Sequence, residues 1–79
     1  MNRPVIMPQL GMTMQEGAIG KWLVPEGSAV REGMPLLEVE IDKGLVVIDC
    51  PATGVLARIL KRSGEVVSVT EIIGWIEES

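Results

Sequence analysis

The side-chain amine of Lys43 is the reactive group that this sequence predicts to be most exposed. Lys43 stands in Asp42-Lys43-Gly44, between two apolar runs at residues 35–41 and 45–50. Two such runs joined by a short polar link are typical of a β-hairpin, and Gly44 suits a tight turn. Neither Asp42 nor Lys43 could be buried there without leaving an unpaired charge. The pattern therefore predicts a hairpin with the Lys43 amine in water at its tip.

Other reactive sites are largely excluded by composition. The sequence has no His, which excludes His-based catalysis and His metal sites, and a single cysteine, Cys50, cannot form an internal disulfide. Cys50 is expected to be a small buried strand residue. The net charge is −4 without a basic stripe, which argues against nucleic-acid binding. No signal core or membrane-length apolar run is present, so the chain as given is expected to be intracellular and soluble.

Turn residues divide the chain into short strands that must hold the hairpin in place. A length of 79 residues predicts one small domain, 1–79, with a core from about 4 to 78. Short apolar runs between Gly and Pro turns predict an all-β sandwich or barrel. The predicted strands cover residues 5–7, 18–24, 29–30, 35–41, 45–50, 55–60, 66–69 and 72–77.

An internal repeat organises these strands. Residues 16–40 fall on residues 53–77 at a shift of 37 without a gap, so that Gly17 meets Gly54 and Glu40 meets Glu77. Residues 5–8 fall on 48–51 at a shift of 43, which places six extra residues of the first half in the loop 9–15. The repeat predicts two similar four-stranded units related by a pseudo-two-fold axis. Lys43 lies in their link, and the chain termini are expected near the other end.

Alternation along the hairpin strands predicts which side chains face the core. Period-two alternation places one set of side chains inside and the other outside. The predicted inward set is Leu37, Val39, Ile41, Val46, Ile48 and Cys50. The predicted outward set is Glu38, Glu40, Leu45, Val47 and Asp49. Leu45 and Val47 would thus form an apolar patch beside the lysine. The packing residues expected elsewhere include Trp22 and Trp75, which the repeat does not match to each other.

Four motifs give the chain a family resemblance. They are Met7-Pro8-x-Leu10-Gly11, Glu16-Gly17-x-Ile19, Asp42-Lys43 and Pro51-x-x-Gly54. With them, residues 4–78 resemble the lipoyl domains of 2-oxo acid dehydrogenase complexes. The resemblance implies a flattened barrel of two four-stranded antiparallel sheets, a barrel-sandwich hybrid. It also implies a carrier domain of a dihydrolipoamide acyltransferase component, not an enzyme.

The same resemblance implies roles for the hairpin residues. Lys43 matches the family's lipoyl attachment lysine, to which lipoate is joined as an amide. Glu40 and Asp42 are candidates for recognition by the modifying ligase, and Gly44 completes the turn. Related biotinyl domains place the lysine between methionines, whereas Asp42 and Gly44 flank it here, which favours lipoate. Ile41 and Gly44 depart from the Thr or Ser and the Ala that are common in the family.

Partners also follow from the resemblance. They are a thiamine-dependent 2-oxo acid decarboxylase, an acyltransferase catalytic core, dihydrolipoamide dehydrogenase, and a lipoate ligase or lipoyl transferase. The domain itself is expected to be a monomer that binds neither nucleic acid, membrane nor metal. Its expected location is the bacterial cytoplasm, or the mitochondrial matrix if it comes from a eukaryote.

The inserted loop is the candidate surface for partner recognition. It is the sole insertion in the repeat, and the resemblance implies that it lies close to Lys43. Its methionines suit an adaptable contact surface, although one of them could fold back onto the core. The loop consists of Gln9, Leu10, Gly11, Met12, Thr13, Met14 and Gln15.

Two alternative functions remain open at this point. One is a biotinyl carrier domain, which shares the fold. The other is an unmodified β-sandwich that serves as a protein interaction module. The family's acyltransferase domain needs a His-containing motif, so a chain without His is not that catalytic domain.

Overall fold

The computed structural model describes residues 1–12, 14–41 and 44–78, and these residues form eight β-strands. None of the described residues is helical, and accordingly this part of the chain contains no helix long and apolar enough to cross a membrane. The all-β prediction is confirmed. The strands are β1 (Asn2–Ile6), β2 (Glu16–Trp22), β3 (Ala29–Val30), β4 (Pro35–Ile41), β5 (Gly44–Asp49), β6 (Gly54–Ile59), β7 (Val66–Ser68) and β8 (Ile72–Glu78).

Strand pairing moves several boundaries away from the predicted ones. The predicted bounds of β4 are correct, but β1 begins at Asn2 because it pairs with β8, Asn2 lying opposite Glu77. β2 begins at Glu16 because it pairs there with Ser68 of β7. Its predicted end was two residues too late, since the last residue of the strand is Trp22. Local sequence marks the turns, whereas the partner strand decides where the hydrogen-bonded ladder starts.

The strands form two four-stranded sheets in which all pairs are antiparallel. The termini sheet has the order β1-β8-β6-β3 and contains the strands nearest both chain ends. The hairpin sheet has the order β5-β4-β2-β7 and contains the predicted hairpin. Each sheet takes two strands from each half of the repeat. The two repeat units are therefore interleaved, and neither unit is a sheet by itself.

The pairing register confirms the pseudo-two-fold relation. The shift of 37 carries β2, β3 and β4 onto β6, β7 and β8, and the shift of 43 carries β1 onto β5. Under this exchange the order of the termini sheet becomes that of the hairpin sheet. The pair Ile19–Val39 becomes Leu56–Ile76, and the register shift after Ile19 recurs after Leu56. The same exchange carries the pair Asn2–Glu77, at the adjacent chain ends, onto Leu45–Glu40 beside the hairpin tip.

Branched aliphatic side chains of both sheets fill one core. Each fully buried Val, Leu or Ile contributes about 1.5–3 kcal/mol relative to an exposed one. Leu36 and Leu37 are both buried, because an irregularity between Pro35 and Leu37 interrupts the alternation of β4. The buried apolar residues are Val5, Met7, Ile19, Val30, Leu36, Leu37, Val39, Cys50, Ala52, Leu56, Val67, Ile73 and Ile76.

The two tryptophans pack differently. Trp22 is partly buried against the core, and its indole N–H donates to the carbonyl oxygen of Lys61 at 2.8 Å. Trp75 is half-buried in β8, opposite Pro4 on one side and Arg58 on the other. The packing role predicted for Trp22 is confirmed, whereas Trp75 lies on the outer face of the termini sheet and is not among the side chains that pack against the core.

Candidate functional site

The β4–β5 hairpin ends at the pair Ile41–Gly44. By sequence, Asp42 and Lys43 alone separate the two paired residues. The predictions for Asp42 and Lys43 themselves lie outside the described residues. Gly44 was predicted to belong to the turn, but it is the first residue of β5 because its backbone continues the ladder to Ile41.

The residues beside the tip anchor it on one side and are exposed on the other. Val39 is fully buried, and Ile41 packs against the core, so the inner face of β4 is held in place. Glu40 is exposed and lies opposite Leu45 on the outer face. A surface depression of about 340 Å³ is lined by Glu40, Ile41, Gly44 and Leu45. The strand ends on either side of Asp42-Lys43 are therefore held on the inner face by core packing, and Glu40, Gly44 and Leu45 are exposed there.

The loop before β2 is folded on itself. The side-chain amide of Gln9 donates to the carbonyl oxygens of Met12 at 3.2 Å and Met14 at 3.4 Å. The backbone N–H of Met14 donates to the oxygen of Gly11 at 3.2 Å, and that of Leu10 donates to the Met14 sulfur at 3.3 Å. These bonds fold the described residues of the loop into a compact turn. Thr13, also predicted for recognition, lies outside the described residues.

The two loop methionines have different surroundings. The Met12 side chain is 98% exposed, and it lines a depression of about 300 Å³ together with Gln9, Leu10 and Gly11. Met14 packs against the core, and its methyl carbon would lie 3.0 Å from a Cβ placed on Gly17. Only one of the two methionines is thus available as a contact surface, since Met14 is the one that folds back.

The loop and the hairpin meet the same end of the hairpin sheet. The loop leads into Glu16, the first residue of β2, and Ala18 lies opposite Glu40 of β4. Antiparallel pairing then places the start of β2 beside the end of β4, where the hairpin turns. The strand order therefore places the loop at the end of the hairpin sheet where β4 ends, while Lys43 itself lies outside the described residues.

The outer face of the hairpin sheet carries exposed apolar side chains next to the tip. One cross-strand row runs Leu45, Glu40, Ala18 and Val66, and the next runs Val47, Glu38 and Lys21. Leu45, Val47 and Val66 are 58%, 48% and 62% exposed. The outward orientation predicted for Leu45 and Val47 is confirmed. Val66 was missed because it comes from the other half of the chain. The repeat contains a sequence signal for Val66, since it aligns this residue with the smaller Ala29.

Two titratable groups away from the tip have shifted pKa values. Burial raises the pKa of the Cys50 thiol, and the negative charge of Glu32 adds to the rise. The thiol donates a hydrogen bond to the Ala52 carbonyl oxygen at 3.0 Å. The N–H of Ser68 and the ammonium of Lys61 both lower the pKa of Glu71. Within the described ranges, no group of three or more His, Cys, Asp or Glu residues could hold a metal ion.

Residues 3–76 match the Biotin_lipoyl family model, described as "Biotin-requiring enzyme". The chain belongs to this family. It shares 38% identity over 71 residues with the acetyltransferase component of an acetoin cleaving system from Cupriavidus necator, covering 90% of the chain and 19% of that relative. It shares 46% identity over 73 residues with a mitochondrial pyruvate dehydrogenase acetyltransferase component from Arabidopsis thaliana, covering 91% of the chain and 14% of that relative.

A solved structure shows the same fold. The lipoyl domain of the 2-oxoglutarate dehydrogenase complex from Azotobacter vinelandii superposes with a TM-score of 0.79 at 26% identity, covering 96% of each chain. The chain is a non-catalytic carrier domain of the lipoyl type. It spans about a fifth or less of the curated relatives described above, which come from a bacterium and from a plant mitochondrial complex.

Proposed function

We propose that Lys43 carries lipoate as an amide, and that the domain shuttles acyl groups and reducing equivalents between active sites of a 2-oxo acid dehydrogenase complex. The pair Ile41–Gly44 carries this proposal, because it leaves Asp42-Lys43 as the whole link between two anchored strands. A two-residue link whose neighbours Glu40, Gly44 and Leu45 are exposed suits both the enzyme that attaches the group and the active sites that receive it.

The other two lysines suit attachment less well. Lys61 is in an ion pair, with its ammonium nitrogen 3.1 Å from a Glu71 carboxylate oxygen. Lys21 lies within β2, opposite Glu38 in the middle of a sheet face. A group attached there would meet a flat surface, and no protruding tip would carry it into an active site. The chain thus offers Lys43 as the amine for a swinging arm.

Lipoate fits the proposal better than biotin does. Asp42 and Gly44 flank the lysine in place of methionines. Glu40 points outward beside the tip, where a ligase could read it together with Asp42. When bound, lipoate supplies a strained cyclic disulfide that accepts an acyl group with two electrons and can later be reoxidised. The protein's own part is to hold the arm, present it and keep its local concentration high at successive sites.

The proposed partners follow from this task. They are a lipoate ligase or lipoyl transferase, a thiamine-dependent 2-oxo acid decarboxylase, an acyltransferase core and dihydrolipoamide dehydrogenase. The loop 9–15 is proposed to help the decarboxylase recognise the domain. Its hydrogen-bonded shape and the fully exposed Met12 support this role.

Attachment is tested by intact mass. The domain is produced with a lipoate ligase and lipoate, and separately with a biotin ligase and biotin. We expect a lipoyl mass gain that disappears in Lys43→Gln and persists in the matched controls Lys21→Gln and Lys61→Gln. A biotin gain alone would show a biotinyl domain, and no gain with either ligase would refute the carrier function. Glu40→Gln is expected to slow lipoylation if the ligase reads that carboxylate.

The loop is tested after lipoylation. Met12→Ser changes an exposed side chain without removing a core contact, so it should lower reductive acylation by the decarboxylase while leaving stability unchanged. A variant in which the loop is shortened by six residues should lower the rate of reductive acylation further. Undiminished acylation in both folded, lipoylated variants would exclude a recognition role for the loop.

A further inference from the structure

The two sheets present outer faces of different charge, although one backbone plan builds both. The outer face of the hairpin sheet carries four carboxylates and one ammonium, from Glu16, Glu38, Glu40, Asp49 and Lys21. The repeat-equivalent positions of the termini sheet hold one carboxylate and one guanidinium, in the residues Thr53, Trp75, Glu77, Ile6 and Arg58. The fold therefore does not require the acidic charge, which is concentrated on the face that bears the hairpin.

Among the described residues each sheet has three large exposed apolar side chains, but those of the hairpin face are the more exposed. Ile6, Val55 and Ile72 of the termini sheet are 46%, 40% and 37% exposed, against 58%, 48% and 62% for the three on the hairpin face. Leu45, Val47 and Val66 lie among the carboxylates there. Their repeat equivalents on the termini sheet are Asn2, Pro4 and Ala29. Exposed apolar groups surrounded by charged ones mark protein interaction sites. Because the equivalent positions accept polar or smaller residues, packing does not explain the larger apolar ones.

This face is continuous with the tip. Its first row, from Leu45 to Val66, follows directly on the pair Ile41–Gly44. An enzyme that takes an arm from the tip must bring its active-site entrance up to the same end of the hairpin sheet. The side chains beside that entrance would then meet the first row.

We propose that a docking face on the hairpin sheet binds a cationic and partly apolar surface around the active-site entrance of the decarboxylase. The docking face is formed by Leu45, Val47 and Val66 together with Glu16, Glu38 and Glu40. This inference rests on the proposed function. Lysine or arginine side chains of the partner would meet the carboxylates, and its aliphatic side chains would cover the three apolar ones. Charge complementarity would speed encounter and fix orientation, while apolar burial would hold the complex.

The decarboxylase is the occupant that most needs such a face. The relatives described above are acyltransferase components several times longer than this chain. If this domain is likewise attached to its acyltransferase, that enzyme meets the arm at a high effective concentration without docking. An enzyme on a separate chain lacks this advantage and must recognise the domain by its surface.

The apolar part of the face is tested with lipoylated domains whose modification is verified by mass. Leu45→Asn and Val66→Ala introduce the residues that the repeat already places at the equivalent positions, so the fold should accept them. Val55→Ala is the matched control, since Val55 is exposed on the termini sheet and has Ala18 as its equivalent. Equal urea midpoints confirm folding.

The assay is reductive acylation by thiamine-dependent components of acetoin, pyruvate and 2-oxoglutarate systems, using whichever acylates the wild type fastest. We expect the Leu45→Asn/Val66→Ala double variant to lose about ten-fold in kcat/KM, equivalent to about 1.4 kcal/mol, mainly through KM. The Val55→Ala control should stay within about two-fold of wild type, as surface substitutions outside an interface usually have small effects. A double variant as active as wild type, or a control that loses equally, would overturn the docking face.

The charged part of the face is tested by salt dependence. Glu38→Gln should lower kcat/KM at low ionic strength and flatten its fall with added salt, because rim charges act mainly on association. Glu77→Gln, on the termini sheet, is the control and should retain the wild-type salt dependence. The same slope for Glu38→Gln and wild type would contradict charge complementarity.

The remaining outcomes separate this inference from the proposed function. If no thiamine-dependent component acylates the lipoylated wild type, both the proposed function and the docking face are refuted. Normal acylation of the double variant with slower oxidation by dihydrolipoamide dehydrogenase would assign the face to that enzyme and overturn the inference. Sedimentation equilibrium that shows a dimer lost in Leu45→Asn would assign it to a second copy and overturn it as well. Amide shifts on adding the decarboxylase that map to β4, β5 and β7 would support it.

Discussion

Thr70 adopts a backbone conformation that its own side chain disfavours. Its φ is +74°, and its repeat equivalent, Gly33, has φ +90°. Both residues use the same turn, since the N–H of Thr70 donates to Met7 at 2.8 Å and that of Gly33 donates to Cys50 at 2.9 Å. A β-branched residue at positive φ is an outlier, whereas glycine is not. We therefore expect Thr70→Gly to stabilise the domain and Gly33→Thr to destabilise it.

The magnitude follows from two opposing terms. The left-handed conformation costs about 1–2 kcal/mol for a residue with a Cβ. A glycine lowers the free energy of unfolding by about 0.4–1 kcal/mol, because it gives the unfolded chain more conformational freedom. Because Thr70 is exposed, few contacts are lost, and the net gain should be about 0.5–1 kcal/mol. A Cβ on Gly33 would meet nothing within 4 Å, so its cost should be conformational and of similar size.

Urea unfolding followed by tryptophan fluorescence or circular dichroism measures both variants. If the same variants are unfolded by heat, a difference of about 0.5–1 kcal/mol corresponds to a shift in Tm of roughly 2–8 °C for a domain of this size. Thr70→Ala is the control, because it removes the branch but keeps the Cβ, and it should gain less than Thr70→Gly. A Thr70→Gly variant that is no more stable than wild type, or a neutral Gly33→Thr, would refute the reasoning.

Three further predictions concern stability and reactivity. Gly54→Ala should cost more than about 2 kcal/mol, because its Cβ would overlap a backbone carbonyl oxygen. Gly17→Ala should cost about 1 kcal/mol, since its closest neighbour is the flexible Met14 methyl group; urea midpoints in the reverse order would contradict this. The lowered pKa of Glu71 means that its carboxylate adds stability above the unfolded pKa of about 4.3 and loses it as pH falls through the folded pKa. The stability difference between wild type and Glu71→Gln should therefore shrink below about pH 4, and a pH-independent difference in urea titrations would exclude the effect. The buried Cys50 thiol, with its raised pKa, should react with a thiol reagent at pH 7 only upon unfolding, and rapid labelling of the folded domain would contradict this.

Much of the hairpin could be predicted because its signals are local. Alternation along the chain gave the outward orientation of Leu45 and Val47, and Pro35 marked the start of β4. The position of Gly44 was predicted wrongly, because residue preference locates a turn but the opposite strand decides the last paired residue. The two loop methionines look alike in sequence. Met14 is held under the loop by contacts with Gly17 and the core, which sequence spacing does not reveal.

The sequence by itself determined the repeat, the two matched halves and the position of Lys43 in the link between them, because glycine turns and apolar alternation recur along the chain. The tertiary structure decided which strands share a sheet, since pairing depends on burying one common core from both sides. It thereby interleaved the halves and brought Val66 into one row with Leu45. Unequal outer faces on equivalent sheets follow from that pairing, and they became visible only once both faces were assembled.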